Sequence, residues 1–367
     1  MYSKRRGSLG MTYDFLAVIG RFQPFHLGHK HNIRLALDTA ERVIVLVGSP
    51  NVARSIRNPF TLEERSEMIR GVFPKEAKKG RLIIAPVDDY AYNETAWVTA
   101  VQREVNRVVL EQGNGGGIVL HGTRDFRIGL TGHDKDSSSY YLKMFPEWDL
   151  VEAPTSFGTF NATDIRRGYF RRSANLPRDN CPPEVVAILD RFRLIAAFKA
   201  LVAEAEWADG YKQSWAAAPF PPILVTVDCV VRQSGHVLLV RRGEQPGKGL
   251  VALPGGFINP GERLRDAAIR ELREETQIAD SKGPIPPAML ASFIESSSTR
   301  VFDAPDRSIR GRTITHAFLF QCPDRPKLFK VKGGDDAAHA AWHRLGDLNP
   351  RDFFEDHWFI LQTMTGI

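Results

Sequence analysis

Short apolar runs that alternate with helix-length segments constrain the fold of residues 14 to 170 more than any other feature of the sequence. This alternation is the pattern of a parallel sheet covered by helices. Strands are predicted at 15–19, 43–47, 82–86 and 118–120, and helices at 28–40 and 94–109. The first half of the chain is therefore predicted to be an α/β domain.

The pattern changes after residue 222, where strand-like runs follow one another more closely, at 225–231, 237–240 and 316–320. One strong helix, predicted over 264–277, interrupts them, which is typical of an α+β sandwich. A further helix is predicted over 184–203, after two prolines. The proline-rich end of the next segment favours an extended connector. We therefore predict a disordered leader at 1–11, domains at 12–203 and 222–367, and a linker at 204–221.

Charge and composition limit the class of partner. Hydrophobic residues make up 43% of the chain, as in globular proteins, and the formal charge of +6 favours anionic, phosphorylated partners. Charge alone does not separate small nucleotides from nucleic acid. The only dense basic run is Lys-Arg-Arg at 4–6, so nucleic acid is the less favoured partner.

Cysteine usage and apolar run lengths bear on location. Cys181, Cys229 and Cys322 form no Cys-x-x-Cys pair, so neither a disulfide framework nor a thiolate metal site is indicated. The apolar run at 15–19 is too short for a signal peptide or a membrane span. We expect a cytoplasmic protein with no membrane partner, and the sequence leaves open whether it forms a homo-oligomer.

A glycine-bracketed turn, Gly20-Arg-Phe-Gln-Pro-Phe-His-Leu-Gly-His29, follows the first predicted strand and leads into a helix. Helix N-termini present unpaired N–H groups and a positive dipole end, so a nucleotide triphosphate can dock there. His26 and His29 can donate hydrogen bonds to phosphate oxygens, and Arg21 adds fixed positive charge. Taken alone, a His-x-x-His pair is as often an ordinary pair of histidines at a helix start.

A second segment, Asn161-Ala-Thr-Asp-Ile-Arg166, has the residue types to complete such a site. Thr163 is predicted to cap a helix, and Arg166 to neutralise charge on a departing pyrophosphate. Taken alone, these residues also fit an ordinary cap and a surface arginine.

Together, the two segments resemble the nucleotidyltransferase superfamily that includes the nicotinamide mononucleotide adenylyltransferases. The runs 55–65 and 132–141 and Trp97 resemble its archaeal-type branch. The resemblance implies a Rossmann-like domain in which Trp97 stacks on the nicotinamide ring and Arg57 meets a phosphate. Trp97 can also be read as a core aromatic. The expected catalytic residues are His26, His29 and Arg166, and the expected substrate-binding residues are Gly20, Arg21, Phe22, Arg57, Trp97 and Thr163.

The reaction implied by this resemblance is attack by the phosphate of nicotinamide mononucleotide on the α-phosphorus of ATP, giving NAD and pyrophosphate. The attacking phosphate is already ionised, so the protein supplies alignment and charge stabilisation, with Mg²⁺ screening the ATP phosphates. Related nucleotidyltransferases use pantetheine phosphate, nicotinate mononucleotide or cytidylyl donors, so another nucleotidyl acceptor remains an alternative.

Carboxylates on the helix predicted over 264–277 form the second candidate site. At about 100° per residue, Glu271 and Glu275 border the apolar face, whereas Arg273 lies on the opposite side. Two glutamates four residues apart repel each other, and half-burying them is unfavourable unless a cation lies between them. Mg²⁺ or Mn²⁺, which prefer oxygen ligands, fit this requirement.

The two segments Gly256-Phe-Ile-Asn-Pro-Gly-Glu262 and Arg270-Glu-Leu-Arg-Glu-Glu-Thr-Gln-Ile278 resemble the Nudix box. Gln277 replaces the final glycine, which we expect to alter the end of the helix more than the ligand set. The resemblance implies metal-dependent diphosphate hydrolysis. It assigns Glu271, Glu274 and Glu275 as metal ligands and catalytic residues, supported by Glu262, and Arg270 as the residue that orients Glu274. A purely structural box is the alternative.

The substrate of the second site is indicated by the flanking runs at 300–312 and 334–337, which resemble ADP-ribose pyrophosphatases. ADP-ribose, cleaved to AMP and ribose 5-phosphate, is the expected substrate, with Arg310 and Arg312 binding it. An arginine-rich loop also suits plain solvent exposure. The order of both motif sets resembles the bifunctional nicotinamide mononucleotide adenylyltransferase/Nudix hydrolase proteins. The rival hypothesis is a C-terminal sensor that binds ADP-ribose without cleaving it.

Overall fold

The structure, a computed structural model, describes residues 12–113, 126–132, 137–153, 161–171, 176–295, 297–334 and 337–367. Contacts within the chain divide it into two compact units, Met1–Ala200 and Leu201–Ile367. The expected leader at 1–11 and the strand expected at 118–120 lie outside the described residues.

Five parallel strands form the sheet of the first unit, in the order β3-β2-β1-β4-β5. They are β1 Tyr13–Gly20, β2 Ala40–Gly48, β3 Leu82–Val87, β4 Ile128–Gly132 and β5 Asp149–Glu152. The first three contain the predicted strands, so the Rossmann-like parallel sheet is confirmed. The last two strands were not predicted.

Helices surround this sheet and cover its hydrophobic core. They are α1 Leu27–Thr39, α2 Leu62–Val72, α3 Pro74–Lys78, α4 Glu94–Gly113, a 3₁₀ helix Ser137–Lys143, α5 Ala162–Phe170, α6 Leu176–Asn180 and α7 Pro183–Phe192. The next helix, α8 Ala196–Ser214, begins in the first unit and continues into the second. A capping box begins α2, in which the N–H of Glu64 donates to Thr61 Oγ1 at 3.3 Å and the N–H of Thr61 donates to Glu64 Oε2 at 2.9 Å. None of the helices in the described part of the chain is long and apolar enough to cross a membrane.

The single helix predicted over 184–203 is wrong, because the chain turns between α7 and α8. The N–H groups of Leu194 and Ile195 donate to carbonyls three residues earlier, which tightens the chain into a turn. The turn lets Phe198 pack against Phe192 and Tyr169, with ring centroids 6.2 and 5.1 Å away. In one straight helix, positions 192 and 198 would point to different sides.

The extended linker predicted at 204–221 is also wrong for residues 204–214, which belong to α8. Leu201, Val202, Ala205 and Ala208 are buried at helical spacing, so an apolar stripe holds this segment in a helix. Within the predicted linker, only the residues after α8, at 215–221, form neither helix nor strand.

A mixed sheet forms the second unit, in the order β12-β13-β6-β7-β14, with β8 paired to β7 and β9 to β6. Its strands are β6 Leu224–Gln233, β7 His236–Arg242, β8 Val251–Ala252, β9 Gly255–Phe257, a β10–β11 pair (Ala279–Asp280 and Gly283–Pro284), β12 Arg300–Phe302, β13 Thr313–Gln321 and β14 Ala337–Arg344. Its helices are α9 Leu264–Thr276, α10 Pro287–Ser292 and α11 His357–Thr365, with 3₁₀ turns at Leu345–Asp347 and Pro350–Asp352. Buried residues of α9 join the main core cluster, so the predicted α+β Nudix sandwich is confirmed.

Two candidate functional sites

The turn between β1 and α1 folds as a compact, largely buried element. Phe22 adopts a left-handed conformation with φ 53°, and its ring folds back over Gly20, where an added Cβ would lie 3.0 Å from the ring. The Phe22 ring also packs against Phe25 and His29. Because Phe22 is only 1% exposed, its side chain supports the turn. Substrate binding by Phe22 stays a prediction.

The two histidines of the turn stack on each other, with ring centroids 3.7 Å apart and an interplanar angle of 22°. His26 is the N-cap residue of α1, and its backbone N–H donates to Nδ1 of His29 at 3.2 Å. Since this Nδ1 accepts a hydrogen bond, we assign the ring proton of His29 to Nε2. The pair thus lies at a helix N-terminus, where backbone N–H groups and the helix dipole favour anions.

Arg166 reaches the same turn from α5. Its Nη1 donates to the carbonyl of Gln23 at 2.6 Å, a contact between residues 143 positions apart in the sequence. Burial, and then the positive charges of Arg21 and Arg57, lower the pKa of Arg166 to about 10. The structure therefore brings the two predicted halves of the first site together.

Thr163 does not cap α5, contrary to the prediction. The cap is Asn161, whose side chain accepts from the N–H of Thr163 at 2.8 Å. Thr163 lies within the first turn of α5, and its hydroxyl accepts a hydrogen bond from Nη2 of Arg166 at 3.1 Å. Thr163 therefore lies beside Arg166 and bonds to its guanidinium instead of capping the helix.

Arg65 is a buried residue of this site that the sequence analysis did not single out. Its guanidinium donates to the carbonyls of Arg21, Gly48 and Ser49 at 2.8, 2.6 and 2.8 Å, which ties the ends of β1 and β2 together. Burial lowers the pKa of Arg65 to about 10 and raises the pKa of Asp89, which accepts from the N–H of Ser49. The available signal was an arginine on the apolar side of α2.

Arg57 and Trp97 lie at different depths. Arg57 is exposed, and its charge acts on both Asp89 and Arg166, which places it near the same edge of the sheet. Trp97 is half-buried, and its ring meets Tyr141 and Phe145, each at 6.1 Å between centroids. Its stacking on a nicotinamide ring stays a prediction. Residues 133–136 of the run 132–141 lie outside the described residues.

The second site lies along α9. Glu271 and Glu275 are half-buried at the border of its apolar face, whereas Asp266 and Arg273 are exposed, as the helical periodicity predicted. Glu274 is exposed at the rim. Negative charge is therefore concentrated where the helix meets the rest of the unit.

Arg270 bonds to three of these carboxylates at once. Its Nε donates to Glu262 at 2.8 Å, and its Nη1 donates to Glu271 at 2.8 Å and to Glu274 at 2.9 Å. Its Nη2 also donates to the carbonyl of Phe257 at 3.0 Å. The predicted contact between Arg270 and Glu274 is confirmed, and Arg270 additionally connects the loop glutamate to the helix.

Glu275 is held separately, by the N–H of Gly255 at 2.9 Å from Oε2. Burial, with a smaller contribution from Glu271, raises the pKa of Glu275 to about 8, and burial also raises the pKa of Glu271. A Cβ on Gly255 would lie 2.1 Å from the carbonyl of Val227, and one on Gly256 would lie 2.6 Å from Glu271 Oε1. The two glycines let β9 pass close to both carboxylates.

The donor set fits a hard divalent cation in its chemistry. Four carboxylates, Glu262, Glu271, Glu274 and Glu275, share one region, and two of them have raised pKa values because their charge is poorly solvated. Across the described ranges, no three histidine, cysteine, aspartate or glutamate side chains are gathered as around one ion. In this arrangement the guanidinium of Arg270 is the cation that three of the carboxylates share.

Gln277 ends α9 in the left-handed conformation, with φ 44° and ψ 39°. This is the conformation that a glycine adopts most readily at a helix end. The expectation that Gln277 alters the end of the helix is therefore wrong, because the backbone closes as it would with glycine. The side chain contributes a long contact, 3.4 Å from Nε2 to the carbonyl of Gly333.

The two arginines predicted to bind the second substrate have separate surroundings. Arg310 lies over the rings of Phe257 and Phe354, 5.6 and 5.9 Å from their centroids, and so adjoins the box. Arg312 donates to the carbonyl of Asp303 and lies 3.7 Å from its carboxylate, within its own loop. Residues 335–336 of the run 334–337 lie outside the described residues.

A buried polar network beside the box was missed by the sequence analysis. Arg307 forms two bonds of 2.8 Å to Asp356 and lies 3.9 Å from Asp228, which accepts from the hydroxyl of Thr315 at 2.6 Å. His357 accepts from the N–H of Leu253 at Nδ1, and burial lowers its pKa to about 3. The available signal was an aspartate at position 228 inside an otherwise apolar strand.

Comparison with known families gives one match in each unit. Residues 17–99 match the model of the cytidylyltransferase-like family, and residues 222–364 match that of the NUDIX domain. The nicotinamide/nicotinic acid mononucleotide adenylyltransferase of Acinetobacter baylyi is 39% identical over 43% of this chain and 76% of its own length. The ADP-ribose pyrophosphatase of Methanocaldococcus jannaschii is 34% identical over 38% of this chain and 70% of its own.

A solved structure matches both units in one chain. It is a bifunctional NMN adenylyltransferase/ADP ribose pyrophosphatase from Francisella tularensis, complexed with AMP and a manganese ion. The match has a TM-score of 0.83 and 35% sequence identity, and it covers 96% of this chain and 99% of that one.

Proposed function

The chain belongs to the family of bifunctional nicotinamide mononucleotide adenylyltransferase/ADP-ribose pyrophosphatases, and on this premise we propose one reaction for each unit. The first unit transfers an adenylyl group from ATP to nicotinamide mononucleotide, giving NAD and pyrophosphate. The second hydrolyses ADP-ribose to AMP and ribose 5-phosphate with a divalent metal ion. The main support for the proposal is that motif residues far apart in the sequence lie together in the structure. The hydrogen bond from Arg166 to the carbonyl of Gln23 is the clearest case.

In the first unit, catalysis rests on positive charge at the carboxyl edge of the sheet. His26 and His29 lie at the start of α1, and Arg166 is anchored to the same turn. Such groups align the ATP phosphates and stabilise charge on the departing pyrophosphate. Because the attacking phosphate is already ionised, none of these residues has to act as a nucleophile.

In the second unit, Glu271, Glu274 and Glu275 are the proposed metal ligands, with Glu262 in support. When bound, Mg²⁺ or Mn²⁺ would activate water and neutralise the diphosphate. Gly255 fixes the orientation of Glu275 through its N–H, and Arg270 orients Glu262, Glu271 and Glu274. Arg310 supplies positive charge for the substrate phosphates next to Phe257.

Two assays on the full chain test the proposal. With ATP, Mg²⁺ and nicotinamide mononucleotide, we expect pyrophosphate and NAD in equal amounts. With ADP-ribose and Mg²⁺, we expect AMP and ribose 5-phosphate. Binding of ADP-ribose without AMP release would contradict the second activity and favour the sensor.

Nicotinic acid mononucleotide is the second candidate acceptor, because the name of the Acinetobacter relative includes both mononucleotides. Comparing kcat/KM for the two acceptors decides between them, and pantetheine phosphate serves as the control. We propose Mg²⁺ as the metal in the cell and the cytoplasm as the location.

A further inference from the structure

Glu355 combines a strained backbone with a partly exposed side chain just before α11. Its φ of 42° lies in the left-handed region, which side chains other than glycine rarely adopt. Non-glycine residues persist in such conformations where the surrounding structure holds them, and they cluster at functional sites. The strained backbone therefore marks the Glu355 side chain as a candidate functional group.

One oxygen of the Glu355 carboxylate is held and the other is open. Oε1 accepts from the backbone N–H of Ile309 at 2.8 Å. Among the described residues no hydrogen bond reaches Oε2. A carboxylate fixed through one oxygen has a defined direction for the other, which is the arrangement that a proton acceptor needs.

Contacts on one side of Glu355 lead to the Nudix box. The positive charge of Arg310 acts on the Glu355 carboxylate, and its guanidinium lies 5.6 Å over the ring of Phe257. The carbonyl of Phe257 in turn accepts from Arg270 at 3.0 Å. The Glu355 carboxylate is thus near the arginine that adjoins the box.

Contacts on the other side lead to the same region. The neighbouring residue Phe354 lies under Arg242, 4.3 Å from the guanidinium carbon to the ring centroid. The charge of Arg242 acts on the carboxylate of Glu275. Contacts through Arg310 and through Arg242, which both lie over the ring of Phe354, therefore connect the Glu355 segment to the carboxylates of α9.

The other acidic groups nearby already have partners. Glu262, Glu271 and Glu274 bond to Arg270, and Glu275 accepts from Gly255. In the buried network, Asp228 accepts from Thr315 and Asp356 is bonded to Arg307. His357 uses Nδ1 to accept from Leu253. Glu262, Glu271, Glu274 and Glu275 form the proposed ligand set, and Asp228 and Asp356 belong to the buried network. Of the carboxylates named here, Glu355 alone belongs to neither group, and its Oε2 makes no hydrogen bond among the described residues.

We propose that Glu355 is the general base of the second unit, which takes the proton from the water that attacks the diphosphate of ADP-ribose. This assignment rests on the proposed hydrolysis of ADP-ribose.

In this step the water oxygen forms a bond to one phosphorus while its proton passes to Oε2 of Glu355. The bond between that phosphorus and the bridging oxygen breaks, and the leaving phosphate keeps the electron pair. AMP and ribose 5-phosphate are released, and Glu355 returns its proton to solvent.

The electrostatic surroundings suit this role at neutral pH. Burial raises the pKa of Glu355 to about 7, with Asp356 adding to the rise, whereas Arg310, Arg307 and the N–H of Ile309 oppose it. A base with a pKa near the working pH balances availability against proton affinity. Below its pKa the carboxyl is protonated and cannot accept a proton, so the rate should rise with pH through about 7 and then level off.

The test is Glu355→Gln in the full chain, assayed with ADP-ribose and Mg²⁺ at a concentration that saturates the metal site at every pH, across about two pH units on either side of the Glu355 pKa. Glutamine keeps an oxygen to accept from Ile309, so the loop contact is retained. We expect kcat to fall about 10²- to 10⁴-fold, with KM little changed and the rise with pH abolished. Asp352→Asn, an exposed change in the same segment, is the matched control and should keep the wild-type profile.

NAD synthesis by the same molecules measures the amount of active first unit, and a KM for ADP-ribose close to the wild-type value shows that the second unit is folded. A Glu355→Gln enzyme that keeps both the wild-type kcat and the rise with pH would overturn the assignment. If the wild-type chain releases no AMP, the proposed function itself fails.

Should the glutamine variant unfold, Glu355→Gly is the second test, since glycine tolerates the backbone conformation. Restoration of its rate by added formate is expected for a missing base, whereas no restoration would contradict it.

Discussion

The two candidate sites carry opposite charge and are built in opposite ways. The first gathers basic residues from the ends of several elements, with Arg65 and Arg166 anchored by backbone carbonyls. The second concentrates carboxylates on α9 and its preceding loop, tied together by Arg270. Both are expected to cleave a phosphoanhydride bond in an anionic substrate, so the charge of the substrate does not by itself determine the sign of the charge in the site.

The difference concerns the source of the positive charge that binds phosphate, which is the protein's own side chains in the first site and a metal ion in the second. Arginine and histidine can bind phosphate oxygens directly, so the first site is complementary to its substrate without an intermediary. Carboxylates repel phosphate, and the second site becomes complementary only when a cation lies between protein and substrate. The two sites should therefore respond differently to loss of a charged side chain and to pH.

The largest difference between the two activities is expected when Glu275 is replaced with glutamine. Glutamine can still accept from the N–H of Gly255, so the change removes charge and spares the local bond. Mutating outer-shell partners of metal sites typically costs about 10- to 100-fold, and we expect a larger fall in ADP-ribose hydrolysis for a proposed direct ligand. Synthesis of NAD should be unchanged. Asp266→Asn, on the exposed side of α9, is the control. Equal activity of both variants would remove Glu275 from the ligand set.

The opposite loss, of NAD synthesis with ADP-ribose hydrolysis retained, is expected for His29→Ala in the first site. Removing one preorganised donor to a developing charge typically lowers kcat about 10²- to 10³-fold, and NAD synthesis should fall by this amount. ADP-ribose hydrolysis in the same preparation should be retained. His31→Ala, on the same helix, is the matched control. Wild-type NAD synthesis by the His29 variant would exclude a catalytic role for that imidazole.

A smaller effect is expected in the pH dependence of metal binding. Glu275 has a pKa of about 8, so below that pH a metal ion must displace its proton. Affinity for Mn²⁺ should therefore rise about tenfold per pH unit up to the Glu275 pKa and then level off. Calorimetric titration in buffers of different ionisation enthalpy should detect release of one proton. In the Glu275→Gln variant, Mn²⁺ affinity should depend less steeply on pH. An unchanged dependence would show that the released proton comes from another group.

Much of both sites could be predicted because their residues obey local rules. The position of His26 and His29 follows from a turn between a strand and a helix, and that of Glu271 and Glu275 from helical periodicity. Arg65 and Asp228 could not be assigned in this way, because their bonds depend on partners far along the chain. Tertiary contacts of that kind leave only an indirect signal, a charged residue in an apolar pattern.

The fold shows the same limit. The long, apolar strands β1 to β3 were predicted, whereas β4 and β5 have only five and four residues and little apolar periodicity. The turn between α7 and α8 was missed because it is set by the packing of Phe198 against other rings. Helical propensity continues through that turn, so local pattern alone favoured one helix.

The smallest expected effect concerns the end of α9, where Gln277→Gly would restore the residue of the Nudix pattern. A side chain in the left-handed conformation costs about 1–2 kcal/mol, and glycine loses about 0.5–1 kcal/mol through the entropy of the unfolded chain. The net stabilisation should lie between about zero and about 1.5 kcal/mol, a rise in the melting temperature of up to about 6 °C for a unit of this size. Gln277→Ala is the control: it removes the contact with Gly333 but keeps the backbone strain, so it should not stabilise. A glycine variant that melts below the wild type would show that this side-chain contact outweighs the strain.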